Sequence, residues 1–139
     1  MNKKNIFLLS SCLFISSHAI ADYYYCPPSI NCPSETECDI PTDSPIPPGG
    51  WSINFDPNHI GSTSVNFTST TAYPPNAPGK IVCAYDALTA ITLTSNGSTF
   101  QPVTSGSTGW QPLYESSICY GDPQQCPWAD VSSSSKTSE

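Results

Sequence analysis

Arginine is absent from this chain, and lysine occurs only at positions 3, 4, 80 and 136. Nucleic-acid recognition depends on cationic side chains that neutralise backbone phosphates. Charge therefore argues against a nucleic-acid partner, and equally against attraction to an anionic membrane surface. Leucine is scarce, with Leu88, Leu93 and Leu113 the only three beyond residue 21. No window shows sustained helical periodicity, and Asp86 to Ala90 makes one turn at most. Past residue 21 no apolar run approaches the roughly 20 residues that a bilayer-crossing helix needs, which predicts no transmembrane segment. Phosphate-cradling glycine loops and nucleophile elbows are missing. Cofactors are not expected.

What is present begins with an export leader. Lys3 and Lys4 precede an apolar stretch from Ile6 to Ile15, and Ala19-Ile20-Ala21 supplies small residues for a peptidase. This order predicts a signal peptide over 1–21 and a periplasmic or secreted bacterial protein beginning at Asp22. An alternative is a lipoprotein anchored through Cys12 in Leu9-Ser10-Ser11-Cys12, although the apolar run before that cysteine is short for an h-region. Loss of the leader would leave two lysines against eleven acidic residues, a formal charge of −9. Such acidity favours solubility.

Six cysteines follow the leader: Cys26, Cys32, Cys38, Cys83, Cys119 and Cys126. An even set in a short exported chain predicts three disulfides and an oxidising compartment. Zinc is disfavoured, because ligand pairs usually lie two to four residues apart and these cysteines do not. Among fifteen connectivities, Cys119–Cys126 would clamp a short turn, and Cys83 would pair with Cys26 or Cys32. The remaining two would close a local loop.

Residues 22–50 carry seven prolines, which deny donors to helices and ladders. They read as an irregular Pro/Cys-rich segment packed on a β domain over 51–131, with a disordered tail at 132–139. Trp51, Ile53 and Phe55 share one strand parity, as do Thr63, Val65 and Phe67. Lys80 to Tyr85 is apolar on both parities, the mark of a covered central strand. Asn96-Gly97 between Thr89–Ser95 and Ser98–Val103 predicts a type I′ hairpin, with Leu93 opposite Phe100. Pro102 makes the second strand an edge or ends it. The fold class is all-β, a small disulfide-crosslinked sandwich or meander.

Candidate chemistry is sparse. His59, the one histidine past the leader, lies in a turn without an adjacent nucleophile motif. Glu35, Glu37 and Asp39 read as a solvated acidic rim, and Asp86 and Glu115 are single carboxylates. Asp39 and Asp43 lack the order of a calcium loop. No catalytic residues are expected. Tyr23, Tyr24 and Tyr25 cannot all point inward and are the candidate binding patch; Trp51 and Trp110 sit on alternating strands and belong to the core.

The chain carries, in order, Cys-Pro at 26 or 32, the Trp-led strand Trp51 to Phe55, Ile81-Val82-Cys83-Ala84-Tyr85, and Cys119 with Cys126-Pro127-Trp128. It resembles small exported gammaproteobacterial proteins grouped as a domain family of unknown function. The resemblance spans Cys26 to Trp128 and implies a single domain without established catalytic residues. The resulting expectation is a non-enzymatic protein that binds a protein or glycan at the envelope or host interface. The alternatives are a small secreted hydrolase using His59 or an acidic pair, and a protease inhibitor presenting a rigid loop from Ile40 to Gly50.

Overall fold

The computed structural model describes residues 22–34, 37–55, 64–75, 77–85 and 91–132. In chain order the strands are β1 (Tyr23–Tyr24), β2 (Ser29–Ser34), β3 (Glu37–Asp39), β4 (Trp51–Phe55), β5 (Ser64–Tyr73) and β6 (Lys80–Tyr85). They continue with β7 (Ile91–Ser95), β8 (Phe100–Pro102), β9 (Trp110–Leu113), β10 (Ser116–Tyr120) and β11 (Trp128–Asp130), with one 3-10 turn at Pro123–Gln125. The fold is all-β, and every strand pairing is antiparallel.

A large sheet runs β3-β2-β5-β6-β7-β4, and a small one runs β1-β11-β8. Strand β5 is long enough to serve two partners in succession. Val65 pairs with Ile30 of β2, and Thr70 pairs with Cys119 of β10, which in turn carries β9. Strand β6 takes the other edge of β5 and lies between β5 and β7, as its apolar residues on both parities predict.

Aromatic rings gather around Trp128, and Trp51 of β4 links the large sheet to it. Trp128, fully buried in β11, stacks on Tyr24 at 5.0 Å between centroids. Phe100 and Trp51 approach it edge-on at 5.0 and 5.7 Å. Edge-to-face and offset pairs suit the ring quadrupole and add about 0.5–1.5 kcal/mol each beyond area burial. These rings, with Ile30, Ile81 and Ile91, supply most of the core volume beside Leu93.

Three disulfides complete the frame: Cys26–Cys83, Cys32–Cys38 and Cys119–Cys126. They follow the expected division into a crosslink from the N-terminal segment to the central strand, a local closure and a C-terminal clamp. The N-terminal segment is less irregular than its prolines imply. It supplies β1 to the small sheet and β2 and β3 to the large one, and the described residues without strands are 22, 25–28 and 40–50.

The expected Asn96-Gly97 hairpin does not form. Leu93 pairs with Cys83 and Ile53 within the large sheet, whereas Phe100 pairs with Asp130 in the small one. The chain crosses between sheets at this point. Asn96 is consumed by other contacts: its backbone N–H donates to the Gly50 carbonyl at 3.0 Å and its Nδ2 to that of Gly49 at 2.9 Å. Gly97 serves close approach instead of positive φ, since a Cβ there would lie 3.0 Å from the Phe100 ring and 3.1 Å from the Pro48 carbonyl oxygen. Pro102 does end an edge strand, as expected.

Candidate functional site

Three segments converge on a groove of about 210 Å³. Tyr25 and Pro28 lie on one side, Asp43, Ser44 and Pro45 on a second, and Asp122, Pro123 and Gln124 on a third. Covalent structure fixes two of these walls. Cys26, next to Tyr25, is tied to Cys83, and Cys119–Cys126 brackets the third segment.

Local chemistry shapes each wall. Asp122 has extended backbone, and its Oδ1 accepts from the Gln124 backbone N–H at 2.9 Å, capping the 3-10 turn. Pro123, with φ preset for a helical start, is buried beneath it. On the second wall the Ser44 N–H donates to the Pro41 carbonyl at 3.2 Å, and buried Pro47 anchors the loop that follows. The groove thus combines an aromatic ring, two carboxylates, a hydroxyl and an amide on proline-stiffened walls. This set can neutralise and enclose a small cationic group.

The tyrosine patch separates on folding. Tyr23 is exposed in β1, Tyr24 stacks on Trp128, and Tyr25 is half-buried at the groove. Burial, with the Asp22 and Asp130 carboxylates, raises the Tyr24 phenol above its ordinary pKa and keeps it neutral. Trp51 and Trp110 pack against the core as expected, with the Trp110 indole N–H donating to the Pro127 carbonyl at 2.8 Å.

Glu37 and Asp39 are exposed on β3, and Glu115 is exposed at the β9–β10 turn. Residues 1–21 with Cys12, Glu35, His59, Asp86 and residues 133–139 lie outside the described residues. Among the described residues no three His, Cys, Asp or Glu side chains are grouped to hold a metal, and no helix is long and apolar enough to cross a membrane.

In the sequence, Asp122-Pro123 is one dipeptide within the turn that Cys119 and Cys126 bracket, and Asp43 stands near Asp39. Their shared groove depends on chain segments nearly eighty residues apart in sequence. The one usable signal was an Asp-Pro pair, suited to capping a helical turn, enclosed by two cysteines. Comparison with family models, curated proteins and solved structures returns no match to this chain.

Proposed function

We propose that this is a non-enzymatic, exported binding protein that receives a basic side chain of a partner protein in the Tyr25–Asp43–Asp122 groove. The observation that carries this reading is the joining of two carboxylates and a tyrosine ring in one groove on crosslinked walls. A lysine or arginine side chain matches the groove in size and charge and can lie against the ring. Three disulfides fit work in the periplasm or outside the cell. Fixed walls also lower the ordering cost of association.

The test is affinity capture with the oxidised protein, beside binding to an array of lysine- and arginine-containing peptides. Joint Asp43→Asn and Asp122→Asn substitution keeps the capping geometry, because asparagine caps as well as aspartate. The expected result is at least about tenfold weaker binding in the variant, with wild-type binding weakened by salt. Equal capture by variant and wild type overturns the reading.

A second reading rests on Ile46, which is 65% exposed between Pro45 and buried Pro47. A stiff loop that projects one apolar side chain suits protease inhibition. Titratable inhibition lost in Ile46→Gly would establish it in place of the groove.

A further inference from the structure

The outward face of the large sheet is separate from the groove and has a different chemistry. Strand register aligns one row across six strands: Gln111, Ile118, Thr71, Val82, Thr94 and Ser52. The next row runs from Tyr120 through Ser69, the buried Ala84 and Thr92 to Asn54. Residues of the opposite parity, including Cys83, Leu93, Thr70 and Cys119, are buried beneath.

Neither row contains a carboxylate, in a chain with eleven acidic residues. The face has one cation, Lys80 beside Tyr73, and its Nζ donates to the Ser95 and Asn96 carbonyls at 3.1 and 3.2 Å. Tyr120 and Tyr73 stand 58% and 51% exposed at the β10–β5 end. The two rows are therefore free of carboxylates and mix Thr, Ser, Asn and Gln with Ile118, Val82 and Ala84, and accessible aromatic rings stand beside them.

We infer that this face docks an uncharged polysaccharide chain. An open sheet face does not enclose a small molecule, but it can support an extended polymer. Tyrosine rings can pack on the C–H faces of pyranose rings while Thr, Ser, Asn and Gln exchange hydrogen bonds with sugar hydroxyls. Among the described residues a phosphate-bearing polymer would meet only Lys80 on this face, and its ammonium is already held by the Ser95 and Asn96 carbonyls. A protein partner fits less well, since the centres of protein interfaces are depleted in serine and enriched in aromatic residues and arginine. The face does not rest on the groove reading, because the two surfaces share no residue.

Affinity electrophoresis of the exported, oxidised protein tests the inference, using gels containing dextran, soluble starch or hydroxyethyl cellulose, with alginate as the anionic comparison. At least one neutral polymer should retard the wild type. Tyr120→Ala, Tyr73→Ala and Thr71→Asp should each weaken that retardation about tenfold, with unchanged near-UV circular dichroism. The Asp43→Asn/Asp122→Asn variant should remain retarded, so failure of the groove reading and failure of this one are distinguishable. The inference is overturned by no retardation in any neutral gel, by retardation only in alginate, or by retardation that survives all three face variants. A doubled mass in light scattering that Tyr120→Ala returns to monomer would assign the face to a second copy, and capture of a protein lost in the same variant would assign it to a protein; either result overturns the inference.

Discussion

The Tyr85 hydroxyl donates a 2.8 Å hydrogen bond to the Pro27 carbonyl, joining the end of the central strand to a proline 58 positions earlier. Both groups are buried and adjoin the chain on either side of the Cys26–Cys83 disulfide. The crosslink and the hydrogen bond therefore hold the same junction. Tyr85→Phe leaves the carbonyl unsatisfied and should cost about 1–3 kcal/mol in denaturant unfolding. Burial pushes the Tyr85 phenol well above its ordinary pKa. Its contribution is complete below the unfolded value of about 10 and is lost as pH rises toward the folded one. Wild-type stability should fall above about pH 10, and Tyr85→Phe should flatten that fall. Parallel profiles for the two proteins would refute the assignment.

The three disulfides should differ in worth. Cys26–Cys83 spans 57 positions, whereas Cys32–Cys38 and Cys119–Cys126 span 6 and 7. On the loop-entropy scale, removal costs about 4 kcal/mol for the first and about 2 kcal/mol for each of the others. Paired Cys→Ala variants, compared by urea midpoints, test the order. A first pair no more sensitive than the other two would show that native packing, not chain entropy, dominates.

Gly97→Ala should destabilise although φ at Gly97 is not positive. The added Cβ meets the Phe100 ring and the Pro48 carbonyl, and overpacking of this kind costs about 1–3 kcal/mol. Thermal unfolding measures it. An unchanged midpoint would mean that the 48–50 turn yields without cost.

Asp130 offers a test in acid. Burial pushes its carboxyl up, but bonds from the Ser132 N–H and the Thr99 hydroxyl outweigh this and leave the pKa lowered. A lowered folded value gives stability above the unfolded pKa of about 3.9, lost as pH falls through the folded one. Asp130→Asn should show a shallower loss of stability below about pH 4. An unaltered acid slope would sink the assignment.

Strand parity was readable where one face met the core throughout. Trp51, Ile53 and Phe55 are the inward residues of β4, and the doubly apolar run at 80–85 is the central strand. The second half of β5 escaped notice because the ladder to β6 shifts between Phe67 and Ser69. Inward positions change there from Val65 and Phe67 to Thr70 and Ala72, breaking the alternation that a sequence window detects. At Asn96-Gly97 a strong local turn signal was outweighed by bonds to Gly49 and Gly50, which no window can include.

Composition and cysteine spacing were enough for the all-β class, because apolar alternation, proline density and an even cysteine count act locally or along the whole chain. They also pointed to the Cys119–Cys126 clamp, since short loops close readily, but left the partner of Cys83 open between Cys26 and Cys32. The groove and the carboxylate-free face arise only from tertiary structure. Asp43 and Asp122 come to line one groove through the meeting of two loops, and Thr71 aligns with Thr94 through strand register across β6. Those placements depend on which distant segments pair, and pairing is selected by burial of the whole core rather than by the preference of any one residue.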